Sequence, residues 1–146
     1  VIVDTSVFLQ DALSPERKGA ASQLLATLPT IAHVVMCTEV RDELQQKLDA
    51  LGWTNDDVRA RYGPIFDAAI WVEPVAERPD HLKAVRQDSA DTMLVRAAEA
   101  TYEVAPAIAG GHPKFIASTN TKHFKPGADY AGFRFDTPRA VLKALE

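Results

Sequence analysis

The segment that decides the fold is Val1-Ile2-Val3-Asp4-Thr5-Ser6-Val7-Phe8, at the beginning of the chain. Its run of β-branched residues predicts a buried strand that ends at Asp4. Further apolar runs bounded by polar or turn residues predict strands over residues 34–37, 70–72, 115–117 and 133–135. Longer stretches separate these runs, which is typical of a parallel sheet covered by helices. We therefore predict an α/β fold, a three-layer α/β/α stack around a parallel sheet of about five strands.

The spacing of apolar residues between the strands predicts the helices. They are expected over residues 15–28, 39–51, 54–69, 80–85, 88–103 and 138–145, with a loop over 104–113. Pro29 is expected to stop the first helix, and Thr38 and Gly52 to bound the second. Gly63-Pro64 should interrupt the third helix, because a proline inside a helix removes a hydrogen bond.

Length and composition favour one globular domain over residues 1–146. The net charge of -4 argues against binding nucleic acid through a broadly basic surface, so an RNA ligand would need bound cations or a local basic strip. Cys37 is the only cysteine, which excludes an intrachain disulfide and suits a reducing compartment. No segment is typical of a signal peptide or a membrane span, so we expect a soluble, cytoplasmic protein.

Acidic and polar residues follow the predicted strands or begin the predicted helices. In an open parallel sheet these positions meet at one edge, where ligands bind. The residues concerned are Asp4, Glu39, Glu43, Asp88, Asp91, Ser118 and Asn120. Several converging carboxylates repel one another unless a hard cation lies between them, and Mg²⁺ and Mn²⁺ prefer such oxygen ligands. The sequence thus favours a divalent metal site at this edge, of the kind that can activate water against a phosphodiester.

The amino-acid sequences of these segments resemble the motifs of the PIN domain family. The opening segment 1–8 is similar to the first PIN strand, in which a hydrophobic run ends in Asp-Thr followed by Asn or Ser. Similar correspondences extend over nearly the whole chain, in Glu43-Leu44, Gln87-Asp88-Ser89-Ala90-Asp91, Ser118-Thr119-Asn120-Thr121-Lys122-His123-Phe124 and Phe135-Asp136-Thr137-Pro138-Arg139. The last of these resembles the closing strand-to-helix turn of toxin-type PIN proteins.

The resemblance implies a Mg²⁺- or Mn²⁺-dependent endoribonuclease, commonly the toxin of a toxin-antitoxin pair. It implies that Asp4, Glu43 and Asp91 are the catalytic, metal-binding acids, and that Ser6 and Ser118 orient a ligand or water. Asn120 stands where many members have Asp, which removes one negative charge and leaves the number of metal ions open. Partners implied are an RNA substrate, a cognate antitoxin protein and a second copy of the chain in a homodimer.

Simpler interpretations of single residues stay open. Asp4 could begin a turn, and Asp88 and Asp91 could be helix-start residues stabilised by the helix dipole. Glu39 shares a helix face with Glu43 and is the better candidate for that dipole role. Lys122 is a weak candidate for a phosphate contact. His123, in the same turn, is more typical of a solvated side chain than of a general base.

Two other functions also stay open. Asn120 is compatible with a PIN-type scaffold that binds RNA or protein without catalysis. Asp4 could instead be a phosphoryl-accepting nucleophile, as in haloacid-dehalogenase-like phosphatases, although Ser6 stands where those enzymes have a second Asp. The apolar stripe of Leu24, Leu25 and Leu28 could form either a dimer interface or part of the core.

Overall fold

Short strands from across the chain form one sheet in the computed structural model, which describes residues 1–84, 92–109, 114–122 and 124–146. The strands are β1 (Ile2–Val3), β2 (Val35–Met36), β3 (Ile70–Trp71), β4 (Phe115–Ala117), β5 (Asp129–Tyr130) and β6 (Phe133–Asp136). Their order is β3-β2-β1-β4-β6-β5, so β1 lies inside the sheet between β2 and β4. Ile2 pairs with Val35 on one side and with Ile116 on the other, both in parallel register.

The described sheet has six strands, one more than the sequence predicted, and the additional strand is antiparallel. β5 pairs with β6 across a two-residue turn of Ala131 and Gly132, whose φ angles are 52° and 80°. Two successive residues with positive φ make a tight hairpin of the kind that matches the twist of the strands. The other strand pairs are parallel, as predicted.

Helices cover this sheet and give the α/β architecture that the sequence predicted. They are α1 (Thr5–Ala12), α2 (Ala20–Ile31), α3 (Thr38–Ala50), α4 (Asn55–Ala68), α5 (Pro79–Ala84), α6 (Met93–Val104), α7 (Pro106–Ala109) and α8 (Pro138–Leu145). α1 packs against α2 and α3, and α2 packs against α8. The arrangement is that of a three-layer α/β/α stack.

The helix boundaries correct several predictions. The first helix, α1, was not predicted. The predicted helix over 15–28 corresponds to α2, which begins later, at Ala20, and continues through Pro29 to Ile31. Pro64 likewise lies inside an uninterrupted α4. Each proline costs a helix one backbone hydrogen bond. In α4 that cost is offset because Tyr62 and Ile65 on either side of the proline are buried in the core.

The region predicted as a loop over 104–113 contains the short helix α7. α6 begins at Met93 in the described part of the chain, so the predicted start of that helix at Asp88 lies outside the described residues. The last predicted helix agrees with α8, whose cap Thr137 accepts a hydrogen bond from the backbone N–H of Ala140.

The core brings the strands together with the inner faces of the helices. Leu24, Leu25 and Leu28 are 0%, 4% and 0% exposed, so this stripe belongs to the core and is not available as a dimer interface. Trp71 lies half-buried on the outer strand β3, where the Arg41 guanidinium stacks 5.5 Å from its ring centre. None of the described helices has the length and apolar character that crossing a bilayer would require.

Candidate active site

The carboxyl ends of β1, β4 and β6 place the candidate site residues. The backbone N–H of Asp4 donates a 2.9 Å hydrogen bond to the carbonyl of Ala117, and that of Ser118 donates one of 3.1 Å to the carbonyl of Asp136. These bonds extend the pairing of the strands by one residue beyond each strand end. As a result Asp4 and Ser118 are fixed beside each other, although 114 residues separate them in the sequence.

Asp4 is held by two serine hydroxyls. Ser6 Oγ and Ser118 Oγ each donate a 2.7 Å hydrogen bond to the same carboxylate oxygen, Oδ2. In turn, Ser6 Oγ accepts from the backbone N–H of Thr119 and Ser118 Oγ from that of Asn120, both at 3.0 Å. Because both hydroxyls bond Oδ2, they orient the carboxylate without occupying its other oxygen, Oδ1.

The surroundings of Asp4 disfavour its charge. Burial raises the pKa of the Asp4 carboxyl, the hydroxyls of Ser6 and Ser118 act in the opposite direction, and the negative charge of Glu43 raises it further. The net shift of this pKa is upward. A nearby positive charge would stabilise the ionised form of a carboxylate in such a place.

A cavity of about 170 Å³ lies against Asp4. Its polar lining comes from the first turn of α1, from α3 and from the loop after β4, and consists of Asp4, Thr5, Ser6, Glu43, Lys47 and Asn120. Thus the structure brings Asp4, Ser6, Glu43 and Asn120 to one cavity, with Ser118 bonded to Asp4 behind it. Glu39, the other acid at the start of α3, is exposed and is not among the residues that line this cavity.

Lys47 is the functional candidate that the sequence analysis missed. Its ammonium lies 3.0 Å from Glu43 Oε1, one helical turn along α3, and it lines the same cavity. The signal was available, since residues four apart on a helix share a face. The site is therefore not the purely acidic cluster that the sequence suggested.

Thr5 also went unnoticed in the sequence. It is 2% exposed and lines the cavity, and its hydroxyl oxygen has no hydrogen-bond partner within the described parts of the chain. Buried hydroxyls are rarely left in this state, because losing water without a replacement costs about 1–3 kcal/mol. Thr5 belongs to the Asp-Thr pair of the opening segment, but the sequence assigned it no role, since its burial depends on how α1 packs.

The structure does not place every predicted site residue. Asp91, the third predicted metal ligand, lies outside the described residues, as do Asp88 and His123. Lys122 is described: it is exposed in the turn after β4, outside the lining of the cavity.

The residues around the cavity fit a hard divalent cation by the chemistry of their donor atoms. Asp4 and Glu43 offer carboxylate oxygens, Asn120 offers an amide group, and Thr5 offers a hydroxyl. These are the oxygen donors that Mg²⁺ and Mn²⁺ prefer. Lys47 competes for Glu43, so binding at that carboxylate requires the ammonium to move aside.

A second group of potential ligands, Asp80, His81 and Glu99, lies on α5 and α6. Its carboxylates are already bonded by Arg78, which donates to both oxygens of Asp80 and, at 2.6 Å, to Glu99 Oε1. His81 Nδ1 accepts from the backbone N–H of Arg78, which leaves Nε2 to donate to Glu99 at 2.9 Å. A metal ion would have to displace these bonds, so the network is better explained as a structural contact between α5 and α6.

Comparisons of the chain with protein-family models, with curated proteins and with solved structures found no match.

Proposed function

We propose that this protein is a PIN-type endoribonuclease that uses Mg²⁺ or Mn²⁺ to hydrolyse RNA phosphodiester bonds. The observation that carries the proposal is the shared cavity of Asp4, Glu43 and Asn120 at the carboxyl edge of the parallel strands. This is the edge at which α/β proteins bind their ligands. Asp91, whose place in the sequence resembles that of the third PIN acid, is the proposed additional ligand.

Each residue of the site has a proposed role in this reaction. Asp4 and Glu43 hold the cation, Ser6 and Ser118 fix the orientation of Asp4, and Asn120 tunes the polarity of the cavity. The chemistry that a bound divalent cation supplies is a water of lowered pKa and stabilisation of charge on the phosphoryl oxygens. No covalent enzyme intermediate is needed.

The substrate must be held locally, because the chain has a net charge of -4. The proposed contacts for the RNA backbone are Lys47 in the cavity and Lys122 in the turn after β4. Lysine binds phosphate as a flexible point charge. If Lys47 leaves Glu43 to bind a phosphate of the RNA, Glu43 becomes free to bind the cation. RNA binding and cation binding should therefore favour each other.

The toxin-type resemblance extends the proposal to partners. We propose that a cognate antitoxin protein covers the cavity and that two copies of the chain form a homodimer. The buried stripe of Leu24, Leu25 and Leu28 is excluded as that dimer's interface. A small neighbouring gene for a DNA-binding protein would support the antitoxin proposal.

The proposal is tested by incubating a fluorescently labelled single-stranded RNA with the purified protein and Mn²⁺. We expect internal cleavage that stops in excess chelator and in an Asp4→Asn variant whose circular dichroism is unchanged. Asp49→Asn, which removes the same charge from an exposed position on α3, should cleave normally. Full activity in chelator would refute the proposal.

A non-catalytic scaffold is the second candidate. It is favoured by the Lys47–Glu43 ion pair and by Asn120, both of which weaken the site for a second cation. Such a scaffold would bind RNA or protein without cleavage and without a requirement for Mn²⁺ at sub-millimolar concentration. The aspartate-nucleophile phosphatase has less support, because Ser6 bonds Asp4 where that mechanism uses a second acid. Trapping a phosphoaspartate at Asp4 would revive it.

A further inference from the structure

The buried hydroxyl of Thr5 lies beside the proposed metal site and has no hydrogen-bond partner among the residues that the structure describes. Thr5 is the first residue of α1 and directly follows Asp4. It lines the same cavity as Asp4 and Glu43, while its hydroxyl oxygen is unpaired within the described residues. A hydroxyl that serves only to fill space could be replaced by a methyl group with a gain in stability.

The other buried polar side chains in the described parts of the chain are paired, which sets Thr5 apart. Thr101, at 1% exposed, donates a 2.9 Å hydrogen bond to the carbonyl of Ala97 one turn earlier in its helix. Thr92, at 0% exposed, donates to Glu77 at 2.9 Å. Thr5 cannot use the bond that Thr101 uses, because the residues that precede it form β1 and not a helical turn.

We propose that Thr5 is a positioning residue whose hydroxyl belongs to the polar shell that holds a hydrated divalent cation against Asp4. This inference rests on the proposed metal site and adds a residue to it. Mg²⁺ keeps several of its waters when it binds to proteins, so its shell needs hydrogen-bonding groups beyond the carboxylates. Groups that hydrogen-bond to the ligands of a metal ion or to its waters commonly change metal affinity by about 10–100-fold.

The site provides few other neutral donors for such a shell. Ser6 and Ser118 already donate their hydroxyl protons to Asp4. Lys47 brings a positive charge that opposes a cation. Among the hydroxyls of the described cavity lining, Thr5 is thus the one with a proton still to donate and lone pairs still to accept. In the metal-free protein the unpaired Thr5 hydroxyl lowers the stability of the fold. When the cation and its waters bind, the hydroxyl gains hydrogen-bond partners and stabilises the complex.

The test is a Thr5→Val variant, which keeps the size and branching of the side chain and removes the hydroxyl. Two readouts should move in opposite directions. The melting temperature of the metal-free protein should rise by about 3 °C, because an unpaired buried hydroxyl is gone. The affinity for Mn²⁺, measured by isothermal titration calorimetry, should fall by about tenfold. The Thr5→Ser variant, which keeps a hydroxyl, should retain most of the wild-type affinity for Mn²⁺.

Thr101→Val is the matched control, since it removes a buried threonine hydroxyl that is paired and lies in α6. We expect it to lower the melting temperature and to leave the affinity for Mn²⁺ unchanged. Thr5→Ala provides a second hydroxyl-free variant if the valine packs poorly. Unchanged Mn²⁺ affinity in Thr5→Val and Thr5→Ala would overturn the inference and leave Thr5 as an unpaired core residue.

The outcome separates this inference from the proposed function. If the wild-type protein binds Mn²⁺ but does not cleave RNA, the ribonuclease proposal fails and the affinity comparison still decides the role of Thr5. If the wild-type protein binds no Mn²⁺ even at millimolar concentration, the role proposed for Thr5 is overturned as well.

Discussion

Ser118 Oγ donates a 2.7 Å hydrogen bond to Oδ2 of Asp4 and so joins the end of β4 to the end of β1. Ser118 is completely buried, and its hydroxyl also accepts from the backbone N–H of Asn120. One side chain therefore fixes both the carboxylate and the loop that carries Asn120. Both Asp4 and Asn120 line the cavity.

Ser118→Ala should weaken both the metal site and the fold. Asp4 loses a donor, and the N–H of Asn120 loses its acceptor, so we expect a loss of about 1–3 kcal/mol in the free energy of unfolding. The affinity for Mn²⁺ should fall by about tenfold, because the Ser118 hydroxyl orients the Asp4 carboxylate that binds the ion. Urea denaturation and calorimetric titration measure the two effects.

Ser22→Ala is the control for that variant. Ser22 donates a 2.6 Å hydrogen bond to buried Asp11, so its loss removes a bond of the same type away from the cavity. Stability should fall while the affinity for Mn²⁺ is preserved. Equal losses of affinity in both variants would show that the metal responds to general loosening of the fold.

Replacing Lys47 by methionine should strengthen metal binding. The ion pair of Lys47 with Glu43 is half-exposed, and exposed pairs of this spacing contribute about 0.3–0.5 kcal/mol. Freeing Glu43 should therefore raise the affinity for Mn²⁺ by about twofold, while RNA affinity falls because a phosphate contact is lost. Lys18→Met, which breaks the exposed pair with Glu16, should change neither quantity. Weaker Mn²⁺ binding in Lys47→Met would contradict the competition described above.

Asp11 should be a major determinant of stability. It is 2% exposed and bonds Arg61, Ser22 and Tyr62. Asp11→Asn breaks this buried pair and should lower the free energy of unfolding by about 3–5 kcal/mol at pH 7. A loss below about 1 kcal/mol, measured by urea denaturation, would show that Arg61 finds another partner.

The same pair predicts a pH dependence. Burial alone would raise the pKa of Asp11, but the hydrogen bonds from Arg61, Ser22 and Tyr62 outweigh burial and hold this pKa below its ordinary value. The stabilisation is therefore fully present above the unfolded-state pKa of about 3.9 and is lost as the pH falls through the lower folded-state value. Between pH 5 and pH 3 the wild-type protein should lose more stability than the Asp11→Asn variant. Equal losses of stability in the wild-type protein and the variant would contradict this role of Asp11.

The β5–β6 hairpin provides a test of the fold. Gly132 has φ of 80°, and an added Cβ would lie 2.3 Å from the Tyr102 hydroxyl. Gly127 has φ of 85° with open space around it. Gly127→Ala should cost about 1 kcal/mol from backbone strain alone, and Gly132→Ala should cost more because Tyr102 must also move. Equal melting temperatures of the two variants would place the hairpin turn elsewhere.

Much of the fold could be predicted because the patterns behind it are local. The β-branched runs at Ile2 and Val35 and the capped start of α8 after Thr137 required no tertiary information. The hairpin strand β5 was missed because Asp129 and Tyr130 form no apolar run and become a strand only by pairing with β6. Helices continue through Pro29 and Pro64 because burial of the neighbouring side chains outweighs the backbone hydrogen bond that each proline removes.

The site was predictable to the extent that topology alone brings strand ends together. That argument placed Asp4, Glu43 and Asn120 at one edge. It could not reveal the Lys47 pairing geometry or the unpaired hydroxyl of Thr5, because both depend on how side chains of neighbouring helices pack. It also gave no indication that Asp80, His81 and Glu99 would meet, since His81 and Glu99 lie 18 residues apart in the sequence.

The central claim is that the cavity beside Asp4 binds a divalent cation, and titration of Mn²⁺ into wild-type protein and variants tests it most directly. Calorimetry should show sub-millimolar binding to the wild-type protein, its loss in Asp4→Asn and in Glu43→Gln, and unchanged binding in Glu99→Gln. Binding that persists in Asp4→Asn but disappears in Glu99→Gln would place the ion among Asp80, His81 and Glu99 and contradict the claim.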